Sequence, residues 1–110
     1  MEINGRTIGP GHSTYIIAEM SANHNQDYDQ AVQIIQAAHR AGADAVKLQT
    51  YTADTMTIDS KQEQFTIKDT VWDGRNLHDL YVEAYTPWEW QPKLKAVADE
   101  LGMDLFSTPF

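Results

Sequence analysis

Three polar side chains stand where strand alternation aims them at one place. In the run "AVKLQTY", Lys47 and Gln49 share a face with Ala45, and in "TYIIAEM" the carboxylate of Glu19 shares a face with Ile17. An ammonium, a carboxamide and a carboxylate converging near strand ends could hold an anionic substrate, orient a second one and move a proton. The same groups could instead form a buried ion pair with the amide bonded to backbone, an arrangement that costs desolvation and adds little stability. Spacing leaves both readings open, and the placement at strand ends leans towards a site. Ser107 and Thr108 in "FSTPF" add two hydroxyls at another strand terminus, suited to a phosphate contact. Asn23 and His24 follow the first strand, where His24 could serve as a base, a substrate contact or a metal ligand, or bond locally as loop histidines commonly do. No HxH, HExxH or multi-carboxylate spacing nominates a complete metal site. There is no Gly-rich phosphate loop and no GxSxG elbow.

The elements that must position these groups are legible in outline. Asn4-Gly5 between two short alternating runs predicts an N-terminal hairpin. "TYIIAEM" predicts a strand buried on both faces. Asp27 or Asp29 can cap a helix in which Ala31, Ile34, Ile35 and Ala38 recur at helical spacing, with Gly42 as its left-handed stop. "DAVKLQT" predicts the second strand, followed by a polar excursion without period to about Asp73 and a helix over 77–85. Thr86-Pro87-Trp88-Glu89 reads as a helix start with a capping box, Pro92 as a bend, and Gly102 as the stop before the strand "MDLFSTPF". "AGADAVKLQ" and "LGMDLFSTP" repeat a helix-stop glycine, one residue, an aspartate and a strand. Aligned on that motif, Lys47 falls opposite Ser107, which would turn Ser107 inward and Thr108 outward. The order hairpin, β, α, β, excursion, α, β predicts parallel strands with right-handed crossovers, and polar strand ends favour a barrel over an open doubly wound sheet. Three strands cannot close an eight-stranded barrel, so residues 1–110 read as the first part of a larger domain.

Composition narrows the partners. Eight basic and 16 acidic residues give a net charge of −8, which argues against a sequence-independent nucleic-acid binder. With no cysteine there is no disulfide, thiolate metal site or cysteine nucleophile. The chain has no run apolar enough to span a membrane and no signal-peptide pattern at its start, so no membrane partner and a cytoplasmic location are the expectations.

"YIIAEMSANHN", "AGADAVKLQTYTADTMT", "LHDLYVEAYTPWEW" and "FSTPF", in this order and spacing, resemble the N-terminal part of the sialic acid synthase family, with the third block closest to its pseudaminic branch. The four blocks together are specific and cover essentially the whole chain. Gln26 departs from the glycine that relatives usually carry after "NHN". The resemblance implies a TIM-barrel enzyme, of which residues 1–110 supply the hairpin and first three strands with their helices; the rest of the barrel and an antifreeze-like C-terminal domain would lie outside them. It implies condensation of phosphoenolpyruvate with an open-chain amino sugar, 2,4-diacetamido-2,4,6-trideoxy-L-altrose for that branch, to a nine-carbon 2-keto acid with phosphate release. Lys47 and Thr108, with Ser107 a weaker candidate, would hold phosphoenolpyruvate; Gln49 would contact the sugar or the phosphoenolpyruvate edge; Glu19 would act near the reacting carbons or the sugar; Asn23 and His24 would shape the rim. A divalent ion, usually manganese, would be held by histidines of later strands, and the full-length protein would be a homodimer. Two other readings stay open: a legionaminic or N-acetylneuraminic acid synthase, and a non-catalytic half-barrel module. In each, residues 1–110 alone are expected to be inactive.

Overall fold

A computed structural model describes residues 1–110 throughout. The chain opens with β1 (Glu2–Ile3) and β2 (Arg6–Thr7), a two-stranded antiparallel hairpin. Asn4 and Gly5 take φ of 46° and 81° at its turn, the left-handed pair that an Asn-Gly hairpin requires. A second sheet is parallel, with β3 (Ile17–Ser21), β4 (Ala45–Thr50) and β5 (Asp104–Pro109) side by side in chain order. Between β3 and β4 runs α1 (Tyr28–Arg40), capped by the Asp27 carboxylate, which accepts from the Gln30 amide at 3.2 Å. Between β4 and β5 lie α2 (Ala53–Met56), a 3₁₀ turn at Glu63–Phe65, α3 (Leu77–Ala84), a second 3₁₀ turn at Trp88–Trp90 and α4 (Gln91–Glu100).

Helices α1 and α4 lie on one face of the parallel sheet. Ala31 and Ile35 of α1, and Leu94 and Ala98 of α4, join Met20, Val46 and Leu48 in one buried cluster. Each large apolar side chain fully buried there contributes about 1.5–3 kcal/mol before the entropy of ordering is subtracted. A strand order that advances without reversal, with its crossover helices on the same side, is the opening arc of a barrel; a doubly wound sheet would reverse direction and place helices on both faces. No helix is long and apolar enough to cross a membrane.

Three expectations are corrected. The helix does not start at Thr86, because Thr86 is buried and its hydroxyl is engaged elsewhere; a 3₁₀ turn over Trp88–Trp90 leads into α4, and Pro92 falls in that helix's first turn, where it bends nothing. The excursion after β4 holds a short helix and a 3₁₀ turn, too brief to show a period. Within residues 1–110 the first strand is not buried on both faces, since Ile16 and Ile17 are 48% and 45% exposed; in a closed barrel the Ile17 face points inward.

The hairpin packs on the N-terminal end of the sheet through ion pairs and hydrogen bonds. Arg6 reaches Asp44 Oδ1 at 3.2 Å and Asp104 Oδ2 at 3.4 Å, and donates to the Gly102 carbonyl at 2.7 Å. Asp104 also accepts from Asn4 at 2.6 Å and from the Tyr15 hydroxyl at 2.5 Å, while Asp44 accepts from the Ile16 amide at 2.8 Å. The repeated aspartates are therefore the two anchors of the hairpin. Hydrogen bonds from Tyr15 and Asn4 hold the Asp104 carboxyl below the usual carboxylate range, while burial, with Asp104 beside it, pushes the Tyr15 hydroxyl up to about 12. With the folded Asp104 value depressed, the unfolded chain binds that proton more tightly, so this contribution is complete above the ordinary carboxylate pKa and is lost as pH falls through the folded value. Asp104→Asn is expected to cost roughly 1–2 kcal/mol near neutral pH and to flatten the acid limb of stability in urea titrations between about pH 6 and pH 3.

Candidate functional site

The pairing register decides which polar groups share a face. Glu19 pairs with Lys47, Lys47 with Phe106, and Gln49 with Thr108. Residues in register across parallel strands point the same way, so Ile17, Glu19, Lys47, Gln49, Phe106 and Thr108 lie on the face opposite the helices. The motif alignment that set Ser107 opposite Lys47 is off by one residue. Ser107 pairs with Leu48 and faces the helix layer, where its hydroxyl lies 2.6 Å from Thr50 Oγ1, which in turn accepts from Gln91 of α4 at 2.8 Å. Ser107 is thus tied into the joint between β4, β5 and α4, and Thr108 is the hydroxyl turned towards Lys47 and Gln49.

Lys47 and Glu19 form an ion pair, with side chains 27% and 57% exposed. Spacing alone left open a buried pair; within residues 1–110 this one is part-exposed, on the face that a closed barrel turns inward, and Lys47 can exchange partners with an incoming anion. Phe106, 42% exposed, lies beside it on β5.

The loop after β3 is bent by a bulge between Glu19 and Ser21 and by left-handed backbone at Ser21, Asn25 and Gln26, with φ of 50°, 50° and 54°. Gln26 therefore occupies a glycine-like conformation, and its amide side chain donates to the Tyr85 carbonyl at 3.0 Å, which offsets part of the strain. Asn23 Nδ2 donates to the Met20 carbonyl at 2.9 Å, and Asn23 stays exposed.

His24 is corrected from a rim contact to an interior support. It is fully buried, its Nδ1 accepts from the Gln26 amide at 2.9 Å, and its Nε2 lies 2.8 Å from Thr86 Oγ1. An accepting Nδ1 places the proton of the neutral ring on Nε2, donating to Thr86. Trp90 packs edge-on against the ring at 5.2 Å, and burial holds the imidazole below its ordinary pKa. Both nitrogens are spent on joining the β3 loop to the segment before α4, so His24 cannot act as a base or ligand without breaking that joint.

A cleft of about 430 Å³ opens at the C-terminal rim between this loop and α3, with Asn23 and Gln49 among its lining residues. Tyr51, Trp72, Leu80 and Tyr81 supply its aromatic and aliphatic side. Helix α3 is set over the rim by its Asn76 cap, which accepts from the Asp79 amide at 2.7 Å, and by His78, whose Nε2 lies 2.8 Å from Asp54 of α2. Sequence reasoning missed the cleft because its wall comes from the aperiodic excursion; the one available signal was that Tyr51 continues the alternation of Lys47 and Gln49. Nowhere do three His, Asp or Glu side chains converge as a metal site would need.

A parallel sheet that advances in chain order with its helices on one face is part of a TIM barrel. Residues 34–110 match the NeuB family. Over 95 residues, 86% of this chain and 28% of the relative, the sequence is 50% identical to the pseudaminic acid synthase of Helicobacter pylori (strain ATCC 700392 / 26695). It is 32% identical over 110 residues, 99% of this chain and 31% of the relative, to the N,N'-diacetyllegionaminic acid synthase of Legionella pneumophila. Among solved structures, the N-acetylneuraminic acid synthetase of Leptospira borgpetersenii superposes over 100% of this chain and 34% of its own, with a TM-score of 0.77 at 24% identity, a likeness of fold. The spore coat polysaccharide biosynthesis protein SpsE of Bacillus subtilis covers 97% of this chain and 26% of its own, with a TM-score of 0.68 at 33% identity. The chain belongs to the NeuB family. It spans about a third or less of the length of these relatives, from 26% to 34%.

Thr86→Val removes the acceptor for His24 Nε2–H and is expected to cost about 1–3 kcal/mol in urea unfolding, the penalty for an unpaired buried donor. Because burial depresses the His24 pKa, the unfolded chain takes up this proton first. The stability it confers is complete above the ordinary imidazole pKa of about 6.5 and falls as pH drops through the folded value.

Proposed function

We propose that residues 1–110 are the N-terminal part of a pseudaminic acid synthase, which condenses phosphoenolpyruvate with 2,4-diacetamido-2,4,6-trideoxy-L-altrose. The observation that carries this reading is the register, which sets the Lys47–Glu19 pair beside Gln49 and Thr108 on the face away from the helices. Identity of 50% to a pseudaminic acid synthase, against 32% to a legionaminic acid synthase, favours the altrose-derived sugar.

In this reading the Lys47 ammonium exchanges part of its pairing with Glu19 for the phosphate or carboxylate of phosphoenolpyruvate, and the Thr108 hydroxyl donates to the same end. Gln49, two residues nearer the rim, orients the sugar. The methylene carbon of phosphoenolpyruvate bonds to the aldehyde carbon of the sugar, whose oxygen becomes a hydroxyl by gaining a proton. Water then adds at the former enol carbon, and phosphate leaves as the 2-keto group forms. Glu19, released from Lys47, is the carboxylate placed to shuttle the protons of these steps. The manganese that the family resemblance implies has no fitting ligand set here: His24 is fully engaged, and no three candidate ligands converge. Its ligands are assigned outside residues 1–110.

The full-length protein that carries this chain is expected to release phosphate from phosphoenolpyruvate with the diacetamido-altrose, and to turn over the legionaminic precursor and N-acetylmannosamine poorly. Release with none of the three sugars contradicts the synthase reading; preference for another sugar contradicts the branch. Lys47→Met is expected to raise the phosphoenolpyruvate KM by about ten-fold or more, as a charged hydrogen bond is lost. An unchanged KM removes Lys47 from the site.

A further inference from the structure

Tyr51 follows Gln49 by two residues, just past the end of β4. The residue is 2% exposed, and its ring is fixed edge-on between Tyr81 at 5.5 Å and Phe110 at 6.3 Å. Its hydroxyl has no hydrogen-bond partner in the protein, yet no fully enclosed side-chain polar atom in the molecule lacks one, so the hydroxyl reaches open space. Tyr51 is also one of the residues that line the rim cleft. A nearly buried phenol, held rigid by two aromatic rings and left with an unspent donor at a cleft surface, is prepared for a ligand rather than for the fold.

The cleft states what kind of ligand. Its volume of about 430 Å³ accommodates a substituted sugar. Trp72, Leu80 and Tyr81 form an apolar side, and Ser21, Asn23, Asn25, Gln49 and Glu83 form a polar one. N-acyl and deoxy groups bring methyls that bury against the first and amides that bond to the second. Strand geometry supports the placement: Gln49 lies about 7 Å rimward of Lys47, so a ligand joined to phosphoenolpyruvate at Lys47 extends into the cleft.

We infer that the Tyr51 hydroxyl donates a hydrogen bond to an N-acyl carbonyl of the amino sugar, and that the cleft it shares with Trp72 and Tyr81 sets the enzyme's preference for acylated, deoxygenated sugars. This rests on the synthase reading, which supplies the amino sugar. Tyr51→Phe in the full-length enzyme keeps the ring and loses only the unspent hydroxyl, so the fold is retained. The expected result is a rise of about ten-fold in the KM for the diacetamido sugar, with the phosphoenolpyruvate KM and kcat within about two-fold of the parent. Trp72→Ala is expected to raise the same KM and leave that for phosphoenolpyruvate in place. An unchanged sugar KM in Tyr51→Phe, or an equal rise in both KM values, overturns the inference. Should the parent enzyme turn over no amino sugar, the synthase reading fails, and the pocket is judged by direct binding of the diacetamido sugar followed through tryptophan fluorescence. Saturable quenching that Tyr51→Phe weakens supports the pocket; absence of quenching in the parent overturns it.

Discussion

The register of β4 between its neighbours is the constraint on which the site depends. A slip of one residue along a strand exchanges its two faces, and here one face carries the core while the other carries Glu19, Lys47, Gln49 and Thr108. Arg6 holds that register from the far end of the sheet. It bridges Asp44 and Asp104, the residues that precede β4 and begin β5, and the backbone amide of Asp104 donates to the Asp44 carbonyl at 3.0 Å. Fixing the strand starts to one hairpin fixes the strand ends, because three parallel strands of defined register must deliver their C-terminal residues to one rim. The ion pairs that anchor the hairpin lie at the bottom of the sheet and the candidate site residues towards the top, the division that barrels show generally.

The rim is built from two kinds of polar residue that look alike in sequence and differ in what their atoms are already doing. His24, Thr86, Thr50, Ser107 and Gln91 spend their donors and acceptors on one another and on backbone, joining loop to helix and strand to helix. Lys47 and Glu19 hold each other on the part-exposed face, and Tyr51 holds nothing through its hydroxyl. The first group makes the rim rigid without being able to serve a ligand. The second can serve one because its present contacts are weak or absent, and the rigidity of the first is what positions it.

Much of this was legible before any coordinates. The Asn-Gly hairpin, α1 with its Asp27 cap, the three strands and the shared face of Glu19, Lys47 and Gln49 follow from turn chemistry and periodicity. The family resemblance added Thr108 against the strict alternation argument, and the register explains why: the repeated Gly-x-Asp motif aligns Asp44 with Asp104, while the strands pair Ala45 with Asp104. A motif records where an aspartate is needed for Arg6, not how two strands hydrogen-bond. For His24 the sequence offers local bonding, which the Gln26 amide supplies, but not the Thr86 hydroxyl 62 positions away that its other nitrogen meets. The excursion from Tyr51 to Asp73 stayed opaque because helices of four residues carry no period, and with it the wall of the cleft.

The central claim is that the face of Lys47 and Thr108, not that of Ser107, receives the phosphate end of phosphoenolpyruvate. A crystal structure of the full-length enzyme with phosphoenolpyruvate tests it most directly. The account predicts an anionic group of the ligand within hydrogen-bonding distance of Lys47 Nζ and Thr108 Oγ1, with Ser107 still bonded to Thr50 on the helix side. A ligand bound away from Lys47, or one contacting Ser107 while Thr108 faces the helices, would contradict it.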